Sequence, residues 1–155
     1  MPARKKPTDA IALLKEDHKK VRGLLDQLEK SSSSNRREQL SSKIEQELKV
    51  HTTIEEEIFY PAYRDAARKK DDKELFFEAK EEHHVVDLVL PEVRGTSPEA
   101  DEYEAKAKVL KELVLHHAKE EEKEMFPRAR KLMSRGELTD LGERMDARKR
   151  ELQGK

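Results

Sequence analysis

The sequence contains no cysteine and no tryptophan. A disulfide framework and a thiolate metal site are therefore excluded. Glycine is scarce, with 5 in 155 residues, and none falls between Gly23 and Gly95. No apolar run approaches the ~20 residues of a membrane-spanning helix, so no membrane partner is expected. Neither sign of charge dominates: Lys plus Arg number 33 and Asp plus Glu 34, for a net −1. A nucleic-acid binder would carry a net basic surface, so that partner is not expected either. The opening MPARKKPTDA has charges but no apolar segment, which predicts no secretory signal and a cytoplasmic location. What the chain does have is charge itself, 43% of residues against 34% hydrophobic. Two classes survive: a charge-coated helical protein or a disordered polyampholyte.

Periodicity decides between them. Ile11, Leu14, His18, Val21, Leu25 and Leu28 recur at helical spacing, with Lys15, Glu16, Lys19 and Lys20 on other faces. Thr8 is the expected N-cap and the run Ser31–Ser34 the expected end. A second stripe runs Leu40, Ile44, Leu48, His51, Glu55, Ile58 and meets Pro61, which either kinks the helix or starts a short continuation. A third helix is expected from Asp72 to Val93, with Phe76, Ala79, His83, Val86, Leu90 and Val93 on one stripe. Gly95-Thr-Ser-Pro98 reads as a loop. The fourth stripe carries Tyr103, Leu110, Leu113, Val114, His117, Glu121 and Met125, and Gly136 is expected to break it. Thr139 would then cap a short terminal helix with Leu141, Met145 and Leu152. No segment alternates like a strand. The expected fold is all-α: a basic tail over 1–9, an up-down-up-down four-helix bundle over 10–134, and a short C-terminal helix with its tail over 135–155.

Each stripe holds a histidine on its apolar side. One such histidine is most often a hydrogen-bonded core residue; four are not an ordinary core. They also repeat. His51-x-x-x-Glu55 precedes Phe-Tyr60-Pro61, and His117-x-x-x-Glu121 precedes Met-Phe126-Pro127, 66 residues later. Glu16-Asp-His18 matches Glu81-Glu-His83, 65 residues later. The i, i+4 spacing puts His and Glu on one helix face, about 5–6 Å apart at Cβ. Four such faces converge on a bundle axis and offer four imidazoles and two carboxylates. That nitrogen and oxygen set suits iron, manganese or zinc.

Two adjacent-histidine pairs need a register. His83 shares the stripe of Phe76, Val86 and Leu90, whereas His84 shares one with Lys80 and Asp87. His117 keeps the distance to Pro127 that His51 keeps to Pro61, and His116 does not. His83 and His117 are therefore the expected metal residues. Glu124, seven after His117, is read as a solvated carboxylate near a helix end. Tyr60 and Tyr63 are read as packing residues, and Tyr103 lies about 21 Å from His117 along its helix, too far to touch a metal.

At these residues the chain resembles the hemerythrin-like (HHE cation-binding) family, from about Ala10 to Arg130. The resemblance implies a non-haem di-iron centre. In it Glu55 and Glu121 would bridge two irons that His18, His51, His83 and His117 ligate; manganese or zinc could substitute. One departure stands out. Oxygen-carrying members have H-x-x-x-H on the third helix, but here Ala79 and Asp87 flank His83 at those spacings. A more open iron would favour binding or reducing dioxygen or hydrogen peroxide over reversible carriage. The alternative is an iron, oxygen or redox sensor without turnover. Whether Glu124 or Asp87 compensates for the missing histidine is a question the sequence leaves open.

Overall fold

The apolar stripes fold as helices throughout residues 9–154, the part of the chain that the computed structural model describes. Helix α1 (Ala10–Lys30) starts where the Asp9 carboxylate accepts the Ala12 N–H at 2.8 Å. Thr8 lies outside the described residues, and Asp9 is the cap. An acidic side chain suits that place, because the first helical N–H groups lack internal partners. The serine run ends α1 at Ser31 and also starts α2 (Ser34–Ile54), capped by Ser33.

After α2 the chain makes a π-helical turn, Glu55–Phe59, and continues as α3 (Tyr60–Ala66). Proline explains the turn. Pro61 has no N–H, and in an α-helix its ring would strike the carbonyl four residues back. Widening the turn relieves both problems: Tyr60 N–H bonds the Glu55 carbonyl, five residues back. The third long helix, α4, spans Lys70–Arg94 and so starts slightly ahead of Asp72; its last turn contains Pro91 and stops at Gly95. Helix α5 (Tyr103–Glu120) repeats the earlier device, with a π-helical turn Glu121–Met125, then α6 (Phe126–Leu132) carrying Pro127.

Helices α1, α2, α4 and α5 form the up-down-up-down bundle. A terminal helix, α7 (Arg135–Leu152), packs along α1 and α2. Its cap is Ser134, not Thr139: Ser134 and Glu137 exchange backbone-to-side-chain hydrogen bonds at 3.1 and 3.2 Å. This capping box satisfies N–H groups on both sides of the helix start. Gly136 therefore lies inside the first turn of α7, and the preceding helix has already ended at Met133. Gly142 lets α7 approach closely, since a Cβ there would come within 2.8 Å of the Ala10 nitrogen.

Two hydrophobic cores fill the bundle. One gathers Ile11, Leu14, Phe59, Tyr63, Phe76, Phe126 and residues of α7. The other gathers Val21, Leu25, Ile44, Leu48, Val86, Leu90, Leu110 and Val114. Between them lies a polar layer of His18, His51, Glu55, His83, His117 and Glu121, all buried. No helix among the described residues is long and apolar enough to cross a membrane.

Candidate metal centre

The polar layer is built by the repeat. His18 comes from α1, His51 from α2, His83 from α4 and His117 from α5, each inside an apolar stripe. Glu55 and Glu121 open the two π-helical turns. All six side chains meet. His18, His51, Glu55 and Glu121 form one group whose ligand atoms lie within 4.8 Å of one another; Glu55, His83 and His117 form a second. Glu55 belongs to both. Its Oε1 is 3.1 Å from His51 Nε2 and 3.2 Å from His83 Nε2. Glu121 Oε1 is 3.1 Å from His18 Nε2 and 3.5 Å from His117 Nε2. His84 and His116 point to the outside, as does Asp87. Glu124 is also exposed and lies 4.0 Å from Arg128. Neither Asp87 nor Glu124 reaches the cluster.

The far ring nitrogens are held from outside. Asp17 Oδ2 lies 2.9 Å from His51 Nδ1, and Glu82 Oε1 lies 2.8 Å from His117 Nδ1. Glu122 Oε2 lies 2.7 Å from His18 Nδ1. The fourth is different: Glu56 Oε1 is 3.5 Å from His83 Nδ1, which has no hydrogen-bond partner. A carboxylate can only accept, so each close contact fixes a proton on Nδ1, and in the neutral ring the Nε2 lone pair then faces inward. This is the orientation in which histidine serves metals. The four supports run around the bundle: α1 holds the α2 imidazole, the turn after α2 faces that of α4, α4 holds that of α5, and the turn after α5 holds that of α1.

Tyr60 is the functional residue that helical periodicity misses. Its hydroxyl donates to Glu121 Oε2 at 2.6 Å and lies 3.1 and 3.3 Å from Nε2 of His83 and His117. It is not simply a packing residue. In a continuous α-helix a position five after Glu55 would turn away from it; the π-helical turn brings Tyr60 round to the same face. Its counterpart in the repeat, Phe126, has no hydroxyl and stacks on His18 at 5.9 Å between ring centroids. That one-atom difference between matched positions was the available signal. Tyr63 does pack as expected, with its hydroxyl donating to the Asp72 carbonyl at 2.8 Å.

Charge is concentrated here. Burial opposes a charged His51, but Glu55 and Asp17 outweigh it and push its pKa well above the usual imidazole value. His117 is likewise buried, yet Glu121 and Glu82 raise it to about 9. For His18, burial is overcome by Glu121 and Glu122, and its pKa is raised. Burial would raise the Glu55 pKa, but His51 and His83 hold it well below the carboxylate range. Burial, with Glu121 and Glu55 beside it, pushes the Tyr60 phenol well above its ordinary value.

The donor set fits a metal pair. Both Glu55 oxygens and His51 Nε2 are buried without a hydrogen-bond partner. Their neighbours are near in distance without meeting hydrogen-bond geometry. Unpartnered buried polar atoms are costly, and cations between them would remove that cost. Beside the layer lies a cavity of about 30 Å³, walled by Val21, Leu48, Val86 and Val114 as well as the four histidines.

Comparison with known proteins agrees with this fold. The crystal structure of a hemerythrin HHE cation binding domain-containing protein from Mycobacterium kansasii, a homolog of Rv2633c, superposes with a TM-score of 0.82 at 30% identity, covering 94% of this chain and 88% of that one. The uncharacterized protein Rv2633c of Mycobacterium tuberculosis is 30% identical over 148 residues, again 94% and 88% of the two chains. A DNA nickase of Nostoc sp. is 26% identical over 141 residues, but this chain spans only 39% of that protein's length. The family model described as the Hemerythrin HHE cation binding domain matches residues 9–129, which take in every helix that feeds the cluster, and the chain belongs to that family.

Proposed function

We propose that the cluster holds two non-haem iron ions and that the protein binds or reduces dioxygen or hydrogen peroxide there. The observation that carries this reading is the buried, hydrogen-bond-free Glu55 carboxylate between two imidazole pairs. His18 and His51 would hold one ion, His83 and His117 the other, with Glu55 and Glu121 shared. Family membership supports iron among the metals that such donors suit.

Tyr60 takes the place of the missing fifth histidine. Ala79 and Asp87 offer no donor to the cluster, and the Tyr60 oxygen already sits between His83, His117 and Glu121. Bound iron would supply the electrons and an electrophilic position. The protein's own part is threefold. The outer carboxylates hold the His18, His51 and His117 imidazoles in one tautomer. Tyr60 keeps a proton at its hydroxyl, within reach of Glu121. The valine and leucine walls admit a small apolar molecule and exclude bulk water.

Sensing without turnover is the second reading. It is favoured by the delivery of ligands from four helices, which links metal binding to bundle stability. Metal content and spectroscopy test the centre. Protein expressed with iron should contain about two irons per chain and show visible absorption that changes with peroxide or azide. His51→Ala and Glu121→Ala should lower metal content sharply, and His84→Ala should not. A metal-free protein of equal stability would overturn the reading. Catalytic loss of peroxide separates reduction from sensing.

A further inference from the structure

A second His/carboxylate group lies outside the inner layer. Glu82 of α4 and His116 and Glu120 of α5 place one ligand atom each within 4.8 Å of one another. His116 Nε2 is 3.7 Å from Glu82 Oε2 and 3.5 Å from Glu120 Oε1. These separations match those between neighbouring ligands on one divalent cation, whose nitrogen and oxygen bonds are about 2.0–2.2 Å. The spacing His116-x-x-x-Glu120 is the inner motif shifted by one residue, onto the solvent side of α5. Among the described residues, no Lys or Arg pairs with Glu82 or Glu120, although the chain's exposed acids commonly find one.

The repeat provides an independent pointer to a cation. Glu82 corresponds to Asp17: each precedes the lone histidine of its half, and each supports the imidazole of the following long helix. Both carboxylates have a second oxygen facing outward. On Asp17 that oxygen carries the Lys149 ammonium, brought by α7. On Glu82 it faces His116 instead. The matched place in one half is thus filled by a built-in positive charge. In the other half it is bordered by an imidazole and a second carboxylate, open to solvent. A small cleft beside this place is lined by Glu78, Glu82, Glu120 and Glu121 together with Leu75, Ala79 and Met125.

We propose that Glu82, His116 and Glu120 form a peripheral site for one divalent cation of the iron, zinc or manganese class. One imidazole nitrogen and two carboxylate oxygens come from the protein, and water completes the shell. Three protein ligands at a surface make a weaker, exchangeable site than the buried cluster. The shared Glu82 places the outer cation one carboxylate away from His117. His116 and Glu120 are no part of the inner cluster, and Glu82 alone joins the two.

The test is Mn2+ titration of the iron-loaded protein, followed by the electron paramagnetic resonance of free Mn2+. One Mn2+ per chain is expected beyond the tightly held metal. His116→Ala and Glu120→Gln should each weaken it at least tenfold while leaving iron content unchanged, and Glu104→Gln, a control on an exposed acid elsewhere, should not. Absence of the additional Mn2+ in the wild type, or its retention in both variants, overturns the proposal. Repeating the titration on metal-free His51→Ala keeps the two sites apart. An equivalent that survives there but needs His116 supports the outer site even if the di-iron reading fails. An equivalent that vanishes with His51 belongs to the inner cluster and overturns this proposal.

Discussion

The two halves of the bundle come from one template and have diverged at the points where they touch the centre. The α1–α2 half presents His18 and His51; the α4–α5 half presents His83 and His117. In the first, Phe126 stacks on His18 and α7 seals Asp17 beneath Lys149. In the second, Tyr60 puts a hydroxyl among the ring nitrogens, and Glu82 looks out on His116 and solvent. The shared carboxylates make the layer symmetric, while its surroundings make one side apolar and closed and the other polar and open. The cavity beside the layer is walled from both halves, by Val21 and Leu48 of the first and Val86 and Val114 of the second.

The largest expected effect comes from removing what the halves share. Glu55→Ala should strip metal from both sides at once, so that measured content falls toward zero and not to one ion per chain. Retention of one ion would show the halves to be independent. Next is Tyr60→Phe, which makes the second half resemble the first. It should retain metal but change the visible spectrum and the response to peroxide, whereas Tyr63→Phe should do neither. An unchanged Tyr60→Phe spectrum would remove Tyr60 from the centre.

Lys149→Met opens the closed half. Asp17 is 5% exposed, and losing one of its two cationic partners should cost about 1–3 kcal/mol in denaturant unfolding. Burial works to raise the Asp17 pKa, and His51 and Lys149 overcome it and hold the pKa down, so its contribution is present above the unfolded value and fades as acid is added. Loss of Lys149 should therefore also bring acid unfolding to higher pH. His116→Ala, in the open half, should stay within about 0.5 kcal/mol in the metal-free protein.

The last comparison is of pH dependence. His117 is raised to about 9 in the folded, metal-free protein from an ordinary 6.5. A raised pKa contributes stability fully below 6.5, and that contribution is lost as pH climbs through about 9. Melting temperature of the metal-free protein should therefore fall across that interval. The metal-loaded protein should not share the decline, because protons and metal compete for the same ring nitrogens and metal binding strengthens as pH rises. A metal-free protein that grew more stable from pH 7 to 9 would contradict the charge balance described for the layer.

Much of this was readable in the sequence because helices keep a constant period. The stripes Ile11-Leu14-Val21-Leu25 and Phe76-Ala79-Val86-Leu90 lie buried as spacing requires, and the matched offsets to Pro61 and Pro127 separate His117 from His116. Periodicity loses its hold where the period changes. Past Glu55 and Glu121 each helix widens, so Ile58 and Glu124, in phase on paper, leave the centre while Phe59, Tyr60 and Phe126 enter the interior. The terminal helix was misplaced at its start for another reason. A glycine reads as a breaker, but here the reciprocal bonds of Ser134 and Glu137 fix the start first and carry Gly136 into the turn. The contact of Lys149 with Asp17 joins residues too distant along the chain for any local pattern to announce.

The circular order of supports around the bundle sets a timetable for synthesis. His18 is among the first residues of α1 to leave the ribosome, yet the carboxylate that orients it, Glu122, follows 104 positions later. Until α5 and its wide turn have emerged and docked, that imidazole has no fixed tautomer and Glu55 has only part of its company. A nascent or truncated chain can thus gather loose ligands but not the finished cradle. Completion of the cradle waits for α5 and the wide turn that follows it.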